Sequence, residues 1–183
     1  MTYVALLRGI NVGGSNVIKM AALKSCLEQL GFESVTTLIA SGNVVFESAE
    51  KKAPKLRNQI EKALSSTFGY DSRVVLRSRS QIARTLADVP KEWTTRKDLR
   101  CNIFFLREPL TATEALPHIK VAPGIDFVKA GRGVLYCSTL LSGVKKSRFT
   151  RVIGTPIYRQ LTIRNYATCR KILDSMNRLA TKD

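Results

Sequence analysis

The chain has 183 residues, 44% hydrophobic and 24% charged, enough to bury a core as one domain or two small ones. Thirty basic residues against fourteen acidic ones give a net charge of +16, which argues for polyanionic partners and says nothing about fold. No apolar stretch approaches membrane-spanning length and no leader core is evident; four scattered cysteines lack redox or metal spacing, and the lone His118 excludes a His-rich metal site. The expectation is therefore a cytoplasmic protein with reduced thiols, no metal, no cofactor and no membrane contact.

Residues 3–8 are β-prone and apolar on both faces, as in a strand covered on both sides. Met20, Leu23, Leu27 and Leu30 recur at helical spacing, with Gly31 placed to end the helix. Val35–Ile39 and Val44–Phe46 flank a turn at 40–43 and predict a hairpin. Leu56, Ile60, Leu64 and Phe68 mark a second helix, opened by Pro54 and closed by Gly69; Arg73–Arg77 is a further strand. The order β-α-β-β-α-β is the split β-α-β, ferredoxin-like arrangement.

A short helix over Ser80–Asp88 leads through a charged connection to Asp98. A strand follows at Asn102–Leu106, then a short helix near Thr111–Leu116 and a glycine-turned hairpin of Ile125–Lys129 with Val134–Cys137. The apolar positions Phe149, Val152 and Ile153 predict a helix over Lys145–Ile153, and a last helix is expected near Asn165–Ala180. The fold class expected is α+β: a ferredoxin-like subdomain at 1–78, a helical linker at 79–98, and a degenerate second copy with a C-terminal helix at 99–183.

Two segments combine strand residues with Gly, Asn, Ser and Arg. Gly9–Gly14 has the glycine spacing of a phosphate-binding loop, but Ser15 and Asn16 stand where nucleotide hydrolysis requires Lys and Ser/Thr. The loop serves either as a backbone anion nest over Asn11, Gly13 and Gly14 closed by Arg8, or simply as a turn. Ser41-Gly42-Asn43 is a hairpin turn that also offers polar groups to a ligand. With the first and third strands taken as parallel neighbours, Arg8 and Asn43 fall at opposite ends of the sheet.

These segments also carry a resemblance. Tyr3–Gly14, the intact Ser41–Phe46, the step Ser147-Arg148-Phe149 and the stretch Arg164-Asn165-Tyr166-Ala167-Thr168 are similar to the bacterial-type family called domain of unknown function 1697. The chain departs from that family at Ser15, usually Lys, and at Ala167, usually Asn. The resemblance implies a tandem α+β, ferredoxin-like fold and brings no substrate with it.

Charge is uneven along the chain. Ten basic and six acidic residues precede residue 79, and twenty and eight follow. Between Asp126 and Asp174 there is no acid, while Lys145, Lys146, Arg148, Arg151, Arg159 and Arg164 supply candidate phosphate contacts, with Tyr158 and Tyr166 interleaved. No nucleophile system or carboxylate pair stands out. The function expected is non-catalytic binding of anions or nucleic acid through the basic second half. The alternative is an enzyme or binding protein that holds a small anionic ligand at an interdomain cleft with Arg8, Asn11, Ser147, Arg148, Arg164 and Asn165.

Overall fold

A computed structural model describes residues 1–11, 16–39 and 42–181. The fold is α+β, with two four-stranded antiparallel sheets and a C-terminal helix. Two compact units are present: Met1–Ile82 together with Arg170–Asp183, and Ala83–Cys169.

The first unit runs β1 (Thr2–Leu7), α1 (Met20–Glu28), β2 (Glu33–Leu38), β3 (Asn43–Glu47), α2 (Ala53–Phe68) and β4 (Val74–Ser78), with the sheet in the order β2-β3-β1-β4. Alternation on β1 decides what reaches the core. Tyr3, Ala5 and Leu7 join Val44 and Phe46 of β3, and these pack in one cluster with Leu23 and Leu27 of α1 and Leu56, Ile60 and Leu64 of α2. Val4 and Leu6, on the other face, are buried as well, so β1 is covered on both sides as its unbroken apolar run predicts. Gly69 ends α2 in the left-handed region, with φ at 67° and its N–H on the Ser65 carbonyl.

α3 (Arg79–Ala87) leads out of this unit. The second unit continues with α4 (Glu92–Thr95), β5 (Leu99–Leu106), α5 (Ala112–Ala115), β6 (Asp126–Gly131), β7 (Val134–Leu140) and β8 (Leu161–Asn165), in the order β6-β7-β5-β8. α6 (Tyr166–Ala180) closes the chain. From Arg170 onward it groups with the first unit, where Arg79 Nη1 donates to Asn177 Oδ1 at 3.4 Å.

The two sheets share one strand order, yet their crossovers differ. In the first unit α2 spans 16 residues between β3 and β4. Between β7 and β8 the chain makes only 3₁₀ turns, at Leu141–Lys146, Phe149–Val152 and Pro156–Gln160. The helix expected over 145–153 is therefore replaced by short turns. Gly143 lies so close to Ile125 that an added Cβ would meet its Cγ2 at 2.6 Å, and Gly154 has a φ of 86°. Within the segment the Arg148 N–H, which a helix would direct to a carbonyl one turn back, donates instead to the Asp126 carboxylate. β8 is a strand that hydrophobic patterning does not reveal, because only five residues of it pair and two of these are Thr162 and Arg164.

Candidate functional site

β1 and β3 pair antiparallel, not parallel, with Leu6 opposite Asn43. This corrects the expected separation of Arg8 from Asn43: the end of β1 and the start of β3 lie side by side. The Leu7 N–H donates to the Gly42 carbonyl at 2.8 Å, and the Arg8 N–H donates to the Arg73 carbonyl at 3.1 Å, just ahead of β4. Gly42 has a φ of 74°, and a Cβ there would sit 2.9 Å from the Leu7 Cβ, so only glycine fits. Asn43 is fully buried and donates to the Leu38 carbonyl at 2.9 Å.

Asn11 is a clasp. Its Nδ2 donates to the Ile18 carbonyl at 3.0 Å and its Oδ1 accepts the Ile18 N–H at 2.8 Å. Asn16 Nδ2 adds a bond to the Gly9 carbonyl at 2.9 Å. Both ends of the Asn11 amide thus work within the loop, with Asn11 itself at a φ of 53°. Arg8 is half-buried. Gly13, Gly14 and Ser41 lie outside the described residues.

The basic face of the second unit is built around one acid. Asp126 is buried; its Oδ2 accepts the N–H groups of Ala122 at 2.9 Å and Arg148 at 2.8 Å, and its Oδ1 accepts the Thr139 hydroxyl at 2.8 Å. Burial works to raise the Asp126 pKa, but bonds from the Arg148 N–H, the Ser147 hydroxyl, the Ala122 N–H and the Thr139 hydroxyl outweigh it and hold it below the usual aspartate value. Asp126 is therefore a frame for the turns and not a counter-ion for the surface. Lys145, Lys146, Arg148, Arg151 and Arg159 are all exposed on the segment between β7 and β8, which Asp126 holds at Arg148. Among the described residues none of them is in an ion pair.

Beside these turns the sheet carries a groove of about 210 Å³, with Arg100, Asn102 and Phe104 of β5 meeting Thr139, Ser147 and Thr150. Ser147 is the link between groove and turns, since its hydroxyl lies 3.4 Å from that of Thr139. Arg100 and Asn102 carry no site signal in the sequence; what marks them is the pairing of Arg100 with Thr139 across β5 and β7.

Arg164 does not belong to the exposed set. It is 7% exposed, and its Nη1 donates to the Thr162 hydroxyl at 2.7 Å and to the Ile163 carbonyl at 2.8 Å. Burial pulls its pKa down to about 10, against the opposing effect of Cys169 and Tyr158, so it stays charged at neutral pH while turned to structural use. Asn165 is likewise committed: its Nδ2 donates to the Cys101 carbonyl at 3.2 Å and its Oδ1 accepts the Ala167 N–H at 2.9 Å, at the start of α6. Ala167 is exposed.

The four cysteines are buried and free. Burial pushes the thiol of Cys101 up to about 11 and that of Cys169 up to about 12, which keeps both protonated and poor as nucleophiles. Among the described residues no three His, Cys, Asp or Glu side chains gather as metal ligands, and no helix is long and apolar enough to cross a membrane.

Fold and site together define an α+β protein of two antiparallel sheets whose second unit presents, between β7 and β8, exposed cations in no ion pair among the described residues. The chain belongs to the family described as protein of unknown function (DUF1697), which matches residues 1–136. Among solved structures it is similar to the conserved bacterial protein SP0830 from Streptococcus pneumoniae, at 27% identity and a TM-score of 0.80, over 96% of this chain and 98% of that one. No curated protein matches it.

Proposed function

We propose that this protein binds anions, nucleic acid foremost, through the basic turns of its second unit. One observation carries the reading: Lys145, Lys146, Arg148, Arg151 and Arg159 are exposed without an ion pair among the described residues, while the neighbouring acid, Asp126, is buried and spent on backbone N–H groups. Cations left free in this way release counter-ions from a phosphate backbone, and this supplies affinity without sequence readout. Arg164, buried among its own strand's groups, takes no part.

The test is binding of labelled single-stranded RNA and duplex DNA over a series of salt concentrations, beside an unrelated basic protein of similar charge. Binding well above the control at near-physiological salt supports the reading. Arg148→Glu with Arg151→Glu is then expected to weaken binding and to flatten the log–log salt slope by about 2, roughly 0.9 for each duplex phosphate no longer neutralised. Binding no better than the control, or an unchanged double variant, overturns it.

A further inference from the structure

The sheet of the second unit has a second working face. Alternation along β7 sends Thr139 toward the basic turns and Tyr136 and Ser138 to the opposite side. There, against α4, lies a groove of about 360 Å³, inside the range of about 300–1,000 Å³ typical of small-molecule sites. Trp93 forms a wall. It is 6% exposed and meets Tyr136 edge-on, with ring centroids 5.8 Å apart. Tyr136 is fixed in turn by its hydroxyl, which donates to the Thr85 carbonyl at 2.9 Å. The indole N–H of Trp93 is buried with no hydrogen-bond partner among the described residues, an unmet donor in that wall.

The edge strand completes the site. Phe127 pairs with Ser138 and Lys129 with Tyr136, so both project on the groove's side of the sheet. Phe127 is 45% exposed, the most exposed large aromatic of the described chain, and it joins none of the ring pairs that hold the other groove aromatics. Lys129 is exposed and, among the described residues, in no ion pair, whereas Arg96 on the rim is held by Asp98 at 2.6 Å. A bare aromatic face and a free cation two residues apart along a strand stand about 7 Å from each other. That is the juxtaposition of a base and its phosphate, and it suits a ligand with a flat apolar body and an anionic arm.

We propose that this groove receives one unstacked base of a single-stranded nucleic acid, with Phe127 as the stacking surface and Lys129 on the adjoining phosphate. The proposal rests on the nucleic-acid reading above and adds strand selectivity to it. Within a duplex both faces of every interior base are stacked, so no interior base can be offered to Phe127. The basic turns, on the other side of the sheet, take either form of nucleic acid by charge alone.

Trp93 is the chain's only tryptophan, so its emission reports on the groove. The protein is titrated with an oligouridylate octamer and with a duplex of equal length. Trp93 emission is followed alongside the anisotropy of an end label that reports total binding. The expected result is saturable quenching by the octamer and none by the duplex. Phe127→Ala, an exposed substitution, weakens octamer binding roughly ten-fold, as loss of one stacked base does, and leaves duplex binding unchanged. Lys129→Ala gives a smaller, salt-dependent loss. Octamer binding with unchanged Trp93 emission, together with a Phe127→Ala variant that binds as tightly as the parent, overturns the base site and leaves the polyanion reading standing. No binding of either nucleic acid overturns both.

Discussion

Asp126 and Arg148 are joined by a 2.8 Å hydrogen bond from the Arg148 backbone N–H to the Asp126 carboxylate, across 22 residues of chain. The acid that opens the acid-free stretch of the sequence is thus what presents that stretch. Because it binds Arg148 by the main chain, the guanidinium stays free to meet a ligand. The same bond withholds the Arg148 N–H from the turn before it, which helps explain why the basic segment is a series of 3₁₀ turns.

Removing this carboxylate should therefore damage both stability and binding. Asp126→Ala leaves the buried Ala122 N–H, the partly buried Arg148 N–H and the Thr139 hydroxyl without their acceptor, and is expected to cost about 2–4 kcal/mol in urea denaturation at pH 7. The nucleic-acid affinity of whatever remains folded falls with it, although no cation has been touched. A cost below about 0.5 kcal/mol, within the usual range for surface substitutions, would show that Asp126 frames nothing.

The same group sets a pH dependence. Its folded-state pKa lies below the unfolded aspartate value of about 3.9. The stability it contributes is complete above that unfolded value and disappears as pH falls through the lower folded one. Asp126→Asn, which cannot titrate, should accordingly lose less stability than the parent does as pH falls below about 4. Parallel acid-unfolding curves for the two proteins would contradict the assignment.

Glycine requirements can be separated by position. At Gly9, with a φ of 69°, a Cβ would meet nothing among the described residues, whereas at Gly42, with a φ of 74°, a Cβ would press on the Leu7 Cβ and the Ile10 side chain. Gly9→Ala should carry only the backbone cost, about 1 kcal/mol, and Gly42→Ala about 2–4 kcal/mol because steric overlap adds to it. Thermal denaturation of the two variants measures the difference, and equal shifts would mean that the β1–β3 packing yields.

Arg164 and Arg151 should behave in opposite ways. Arg164→Gln removes a buried guanidinium bonded to Thr162 and Ile163, and is expected to lower stability by about 1–3 kcal/mol while leaving the salt slope of binding unchanged. Arg151→Gln removes an exposed cation and should shift stability by less than about 0.5 kcal/mol while reducing the slope by about 1. If Arg164→Gln lowers the slope as well, its cation reaches the ligand.

Burial of the thiols makes alkylation a reporter of opening. With Cys101 raised to about 11 and Cys169 to about 12, iodoacetamide at pH 8 should label these two slowly in the native protein and rapidly in denaturant. Fast native labelling of Cys169 would place it outside the packed interior.

The elements legible in the sequence are those with a long apolar period and a clear stop. α2 is an example: Leu56, Ile60 and Leu64 all reach the core, and Gly69 closes the helix as its position predicts. The 145–153 segment misleads because Phe149 and Val152 have helical spacing and are both buried, yet the group that reshapes the turn, Asp126, comes from a distant strand. Arg164 reads as a surface cation since nothing local marks an arginine on a five-residue strand as buried. The direction of the β1–β3 pairing is written in neither strand alone, and with it the meeting of two glycine-containing segments stays hidden. Phe127 and Trp93 do not read as a pair because only the sheet brings them to one groove.

The division of the chain bears on the order in which it is made. Residues Ala83–Cys169 form one unbroken unit, whereas the unit that begins at Met1 also takes in Arg170–Asp183. During synthesis the unit begun first is therefore the last to be completed. β1 to β4 can pair early, but their unit waits for α6, while the middle of the chain already has every residue it needs. A chain with only residues 1–169 clear of the ribosome would hold every residue of the second unit and still lack part of the first.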